Sequence, residues 1–295
     1  MNKTIVPVVF STDHNFIMPT GVSVQSMLEC SNDVNCDIYI LQAGNVTDND
    51  RDLIRRICNE HNATVTFLTI DDEKMNHAYE VRGITSATYY RLLIPWIIPL
   101  YDKICYVDGD TIFKKSISSL YNCDIDNNLV AGVRVCDING YGFKKYEKKI
   151  GCSYEEYINA GVLVFNSKLQ REQNIKEEYM KQMEKQYTFQ DQDILNIVCR
   201  GKVSYLTIDK NTPPPHAICD TTCIIHYVGV KPWNQVTEGW LEWWEVFVRS
   251  LFYDKTVGQK AIANTLKYEY KPKQLLSLAV KTLFPQVYSF IKNKR

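Results

Sequence analysis

The sequence predicts an α/β protein with a Rossmann-like, mostly parallel central sheet flanked by helices and a short helical extension at the C-terminus. Three observations carry this. Short apolar, β-branched runs alternate with helix-compatible segments across the first two-thirds of the chain, as in successive βαβ units. Several runs are apolar without a break, as in strands covered on both faces. One of them ends in Asp108-Gly109-Asp110, an acidic turn placed where open α/β sheets hold ligands.

The elements come in order. Residues 5–10 read as a buried strand, 19–28 as a helix, and 37–41 as a second strand leading to Gly44. Thr47 and Asp50 form a capping signal for a helix with Leu53, Ile54 and Ile57 on one face. Residues 64–70 are a β-branched strand. A second block gives strands at 103–107, 129–135 and 161–165, a charged helix over 167–185 and another over 191–199. Beyond Pro213-Pro214-Pro215 the pattern becomes aromatic and irregular, with Trp233, Trp240, Trp243 and Trp244.

The chain has 295 residues, with Lys+Arg 34 against Asp+Glu 34. A formal charge of zero argues against a nucleic-acid binder, and 45% hydrophobic residues is globular composition. Ten cysteines are scattered with no Cys-x-x-Cys pair, so structural zinc is not expected and reduced thiols in a cytosolic protein are. The N-terminus reads as no secretory signal. The longest apolar run, 92–100, is too short to cross a bilayer and contains Pro95 and Pro99. The division expected is a catalytic domain over 1–235 and an aromatic, basic helical region over 236–295. The 270–295 stretch has six basic residues, no acidic one and an apolar helical stripe. It is therefore a candidate contact with an anionic membrane surface, which would place the protein in the cytoplasm or on the inner face of the cell membrane.

Four constellations can carry chemistry. Asp108 and Asp110 offer two hard carboxylates for a divalent cation such as Mg²⁺ or Mn²⁺, or simply a polar turn. Gln190-Asp191-Gln192-Asp193 opens a helix whose N-terminus favours hydroxyl or phosphate groups, though an acidic helix start alone explains it. His226, followed by Gly229 and Lys231, can complete a carboxylate metal site and meet a diphosphate; a lone histidine is also ordinary core chemistry. Asn159 before Ala160-Gly161 presents a donor and an acceptor suited to sugar hydroxyls, or a turn.

Taken in order, Ser11-Thr12-Asp13-His14-Asn15, Thr88-Tyr89-Tyr90-Arg91-Leu92, Asp108-Gly109-Asp110, Asn159-Ala160-Gly161-Val162, Gln190-Asp191-Gln192-Asp193 and His226-Tyr227-x-Gly229-x-Lys231-Pro232-Trp233 resemble family 8 glycosyltransferases, in particular bacterial lipooligosaccharide and lipopolysaccharide α-galactosyl- and α-glucosyltransferases. The resemblance runs from about residue 8 to 233. It implies a GT-A fold and transfer of galactose or glucose from a UDP-sugar, with retention, to a glycan or glycolipid acceptor. It also implies Asp13 and Asn15 at the uridine, and Asp108, Asp110 and His226 as Mn²⁺ (or Mg²⁺) ligands. Gly229 and Lys231 then lie at the diphosphate, Arg91, Asn159, Ala160 and Asp191 around the donor sugar, and Gln192 at the anomeric carbon. An amide is a poor nucleophile, which favours front-face attack with Asn159 and Gln192 as supports. Only Val230 separates Gly229 from Lys231, a shorter spacing than in a better-known bacterial member. Two other readings are a non-catalytic UDP-sugar-binding homologue and a sugar-1-phosphate nucleotidyltransferase, the latter disfavoured because 1–21 holds no glycine-rich loop. A haloacid-dehalogenase-like phosphatase is excluded because Thr111 stands one position too early after the second aspartate.

Overall fold

The structure, a computed structural model, describes residues 3–69, 86–135, 146–214 and 218–269. Nine strands are described: β1 (Ile5–Thr12), β2 (Asn35–Gln42), β3 (Thr64–Thr69), β4 (Lys103–Val107), β5 (Thr111–Phe113), β6 (Val130–Arg134), β7 (Ile158–Asn166), β8 (Val203–Leu206) and β9 (Ile224–His226). Seven of them form one sheet in the order β3-β2-β1-β4-β7-β6-β8, and β5 pairs with β9 in a small second sheet. All neighbours in the large sheet are parallel except β7, which runs against both β4 and β6. The mostly parallel sheet is as predicted.

Unbroken apolar strands result from burial on both faces. Val6, Val8 and Phe10 of β1 join one core cluster while Val9 joins another. Cys105 and Val107 of β4 face the first cluster, and Ile104 and Tyr106 the second. Helices Ile17–Cys30 and Asp48–Glu60 cover one side. The second begins with the predicted capping box: Thr47 accepts from the Asp50 amide and the Asp50 carboxylate accepts from the Thr47 amide.

Two of the predicted elements take a different form, and β5, β8, β9 and the 3₁₀ helix Ser86–Leu93 were not predicted. The helix expected over 167–185 is two helices, Ser167–Glu172 and Ile175–Met183, broken at Asn174, whose φ of 52° is left-handed. Asparagine tolerates that conformation, so the chain turns there without a glycine or proline to announce it. The strand expected at 161–165 begins earlier, at Ile158, which places Asn159 and Ala160 inside the sheet.

Sheet order reverses at β1: β2 lies on one side of it and β4 on the other, both parallel. Such a switch point opens a crevice at the carboxyl ends of the strands. Asp13 comes directly after β1 and Asp108 directly after β4, so both stand at its rim. After the large sheet, helices Trp240–Phe247 and Lys255–Glu269 build a third core with Val22, Ile112, Ile225 and Tyr227. The basic stripe at 270–295 lies outside the described residues. No described helix is long and apolar enough to cross a membrane.

Candidate active site

Strand β4 delivers Asp108 to the crevice, and the Asp108 amide extends the β4–β7 pairing by donating to the Gly161 carbonyl at 2.7 Å. The next residues turn into β5, which pairs antiparallel with β9 so that Thr111 stands opposite His226. The Tyr227 amide donates to the Asp110 carbonyl at 2.9 Å. Residues more than a hundred positions apart are thereby clamped side by side.

Asp108, Asp110 and His226 form a cluster whose ligand atoms all lie within 4.8 Å of one another. His226 Nε2 is 3.3 Å from Asp110 Oδ1 and 3.8 Å from Asp108 Oδ2. Asp110 is 5% exposed and His226 3%, so both side chains are largely cut off from water. Burial pushes the Asp110 carboxyl up, but His226 and Lys231 outweigh it and hold the group well below the usual carboxylate range. Lys231 Nζ donates both to Asp110 Oδ2 and to the Tyr227 carbonyl.

A divalent cation fits these residues on three counts. Asp110 Oδ1 is buried with no hydrogen-bond partner, an acceptor that a cation would satisfy. Two carboxylates and one imidazole are the oxygen-rich donor set that Mg²⁺ and Mn²⁺ accept. Gly161 keeps the space between them clear: a Cβ there would lie 2.2 Å from His226 Cε1 and 2.7 Å from Asp108 Oδ2.

Beside this cluster Arg91, 7% exposed, joins the carboxylates. Its Nη1 donates to the Ala160 carbonyl at 2.7 Å and lies 3.0 Å from Asp108 Oδ1, and its guanidinium stacks over Tyr106. Arg91 Nε is 2.9 Å from Asp191 Oδ2, close enough for charge attraction but not aligned as a hydrogen bond. Burial pushes the Asp191 carboxyl up to about 6 despite the pull of Arg91, with Asp108 adding repulsion.

Asp191 opens helix Gln190–Val198, and Gln192 lies on the face towards β7. Gln192 Oε1 accepts from the Ala160 amide at 3.0 Å and from Asn159 Nδ2 at 3.3 Å. Asp193 is taken up by the fold instead: it accepts from the Tyr157 hydroxyl at 2.6 Å and the Phe189 amide at 2.7 Å. Asn159 Oδ1 accepts from the Gly161 amide and from Asn211 Nδ2, each at 2.9 Å. Asn211, which the sequence reading did not single out, also contacts His226 Nδ1 through Oδ1 at 2.9 Å.

Asp13, Asn15 and Gly229 have no recorded contact with this group among the described residues. Asp13 Oδ1 accepts from the Phe16 amide at 2.9 Å, shaping the entry to helix Ile17–Cys30. Asn15 is exposed. Gly229 has a φ of +87°, left-handed geometry that suits glycine, between the exposed side chains of Val228 and Val230. Asp108, Asp110, His226, Arg91, Asn159, Ala160, Asp191, Gln192 and Lys231 are thus one contiguous constellation.

The sequence model of glycosyl transferase family 8 matches residues 7–237. The chain belongs to that family. Among related sequences, a provisionally named glycosyltransferase of Haemophilus influenzae is 30% identical over 211 residues, covering 70% of this chain and 63% of that protein. The chain therefore spans less than two-thirds of that relative. The lipopolysaccharide 1,2-glucosyltransferase of Escherichia coli is 24% identical over 248 residues, covering 77% of this chain and 72% of that protein. The solved galactosyltransferase LgtC, in complex with donor and acceptor sugar analogues, superimposes with a TM-score of 0.72 at 25% identity, covering 86% of this chain and 100% of that one. The fold is the GT-A fold of family 8. Nine cysteines among the described residues are free; Cys136 lies outside them.

Proposed function

We propose that this family 8 protein is a retaining, metal-dependent hexosyltransferase. It moves galactose or glucose from a UDP-sugar to a glycan or glycolipid acceptor, forming an α linkage. The observation that carries the reading is the buried Asp108–Asp110–His226 cluster with its orphaned Asp110 Oδ1, standing against the Arg91–Asp191–Gln192 group.

When bound there, Mn²⁺ or Mg²⁺ supplies Lewis-acid neutralisation of the departing UDP diphosphate. Asp108, Asp110 and His226 would hold it, and Gly161 leaves the room. Lys231, paired with Asp110, would add a second positive charge for the diphosphate once Asp110 is otherwise engaged. Arg91, fixed by the Ala160 carbonyl and two carboxylates, keeps Asp191 turned towards the sugar hydroxyls. Gln192 Oε1 is already committed to the Ala160 and Asn159 N–H groups, which suits an orienting role better than a nucleophilic one. That commitment favours attack on the same face from which UDP departs, with Asn159 and Gln192 as supports. Asp13 and Asn15 are assigned to the uridine, and Gly229 to the diphosphate.

The test is release of UDP from UDP-glucose or UDP-galactose in the presence of Mn²⁺, in the wild type and in Asp108→Ala/Asp110→Ala. Turnover only in the wild type supports the reading. Donor-dependent thermal stabilisation without UDP release would replace it with a non-catalytic UDP-sugar-binding protein. Peripheral contact of 271–295 with an anionic membrane belongs to the same reading: the full chain is expected to co-sediment with anionic vesicles, and a chain lacking 271–295 is not. Equal partitioning would remove the anchoring role.

A further inference from the structure

We infer that Asn211 is the positioning residue that fixes the imidazole of His226 for metal and ties that ligand to the amides beside the donor sugar. The inference rests on the metal-dependent reading above. It begins from a donor whose identity is beyond choice, the Gly161 backbone N–H, which donates to Asn159 Oδ1 at 2.9 Å. That contact orients the Asn159 amide, so the Asn211 atom that meets the same oxygen at 2.9 Å must be its N–H₂ end. The other end of Asn211 is then an oxygen, and it lies 2.9 Å from His226 Nδ1. An oxygen there requires an N–H on Nδ1. In the neutral imidazole the lone pair is left on Nε2, the nitrogen that faces Asp110 and Asp108 at 3.3 and 3.8 Å.

The second branch is oriented in the same way. The Ala160 N–H donates to Gln192 Oε1, so Gln192 offers its own N–H₂ to the Tyr157 hydroxyl, and that hydroxyl donates to Asp193. A directional chain of side-chain amides thus runs from the metal ligand His226 through Asn211 and Asn159 to Gln192. It is set by two backbone amides of β7.

Asn211 is built into this place. It is 3% exposed and ends the turn Ile208–Lys210. The next residue, Thr212, is stitched to β9: its amide donates to the Ile224 carbonyl at 2.9 Å, and the His226 amide donates to its carbonyl at 2.9 Å. The backbone carrying Asn211 and the backbone carrying His226 are therefore locked together. Ligating histidines commonly have their second nitrogen held in this way, and loss of such a partner costs about 10–100-fold in metal affinity.

Two variants separate this role from simple packing. Asn211→Leu removes both contacts. Asn211→Asp, nearly isosteric, keeps an acceptor for Nδ1–H and removes the donor to Asn159. Folding is checked by circular dichroism, and Mn²⁺ binding is read from the loss of the aqueous Mn²⁺ electron paramagnetic resonance signal in titrations of the full-length chain. Asn211→Leu is expected to weaken Mn²⁺ binding about 10–100-fold, and Asn211→Asp to keep it within about threefold while lowering kcat for UDP release. Unchanged affinity in Asn211→Leu, or equal weakening in both variants, overturns the inference and leaves the metal-dependent reading standing. A folded wild type that binds no Mn²⁺ overturns both. The ¹⁵N shifts of His226 in the metal-free wild type, recorded at a pH where the ring is neutral, give a readout that needs no variant: an Nδ1–H ring supports the assignment, and an Nε2–H ring overturns it.

Discussion

A methyl group on Gly161 would press 2.2 Å from His226 Cε1 and 2.7 Å from Asp108 Oδ2, far inside any real contact. The two side chains can then only part, and the Asp108 amide, which donates to the Gly161 carbonyl, resists the movement. Gly161→Ala is expected to cost roughly 1–3 kcal/mol of stability as overpacking and to abolish the rise in melting temperature on adding Mn²⁺. An undiminished rise would show that the site yields. Asp191 gives a pH-dependent counterpart. Burial raises its pKa to about 6, above the roughly 3.9 of an unfolded aspartate. Its contribution to stability is therefore full below about pH 4 and is lost as pH rises through about 6. In the metal-free protein, Asp191→Asn should gain stability relative to wild type by on the order of 2–3 kcal/mol between those pH values and no more above them. Urea midpoints at pH 4, 5, 6 and 7 check this, and a flat difference refutes it. At this scale the sequence was informative where chemistry dictates residue type: carboxylates, an imidazole, an arginine and amides in order. Gly161 and Asn211 were less legible. Their roles arise from close approach and from a neighbour fifteen positions away, which no local pattern encodes.

Among the elements, those that carry long periodic or unbroken apolar runs were legible, including β4 and helix Gln190–Val198 at the site, and the short ones that complete the site were not. Strands β1, β2 and β4 announce themselves by their buried apolar residues, β3 by its β-branched composition, and helix Asp48–Glu60 by its capping. Thr47 is the clearest case: its hydroxyl accepts from the Asp50 amide at 3.2 Å and the Asp50 carboxylate accepts from the Thr47 amide at 3.0 Å. Thr47→Ala is expected to lower stability by about 1 kcal/mol, seen as a shifted denaturant midpoint with unchanged slope, while UDP-sugar turnover is kept. By contrast, β5 and β9 have three residues each, too few to show a period of two, and the segment Ser86–Leu93 is a 3₁₀ helix with no sequence signal of its own. Yet β5 and β9 align Asp110 with His226, and the 3₁₀ segment presents Arg91. The break at Asn174 was hidden for a related reason, since a single left-handed asparagine leaves the surrounding composition helical.

At the scale of the whole molecule, residues 1–235 either hold together by themselves or depend on the helices between residues 240 and 269. The expected division at 235 tracks the motifs, whereas packing crosses it. Trp243 is fully buried, stacks on Phe247 with centroids 4.6 Å apart and meets Trp233 at 5.4 Å. The Tyr227 hydroxyl donates to the Gly239 carbonyl at 2.7 Å, and Trp244 Nε1 donates to the Pro232 carbonyl at 3.1 Å. Further back, the Phe252 ring lies so close to Gly21 that a Cβ there would meet it at 2.1 Å, and Arg249 forms two hydrogen bonds to Glu29. Tyr227 is the neighbour of His226 in the chain, so this aromatic core braces His226 from behind. Removing Trp243 leaves a cavity under it: Trp243→Ala is expected to cost about 3–5 kcal/mol and to weaken Mn²⁺ binding in the fraction that remains folded. A chain ending at residue 235 strips the cover from Val22, Ile225, Tyr227 and Trp233 together, and should show no cooperative thermal transition. The intact chain should unfold in one transition, with tryptophan fluorescence and far-ultraviolet circular dichroism coinciding. If residues 1–235 alone unfold cooperatively and bind Mn²⁺ as the full chain does, the helices from 240 to 269 are an appendage. If they do not, the site and the C-terminal core form one folding unit.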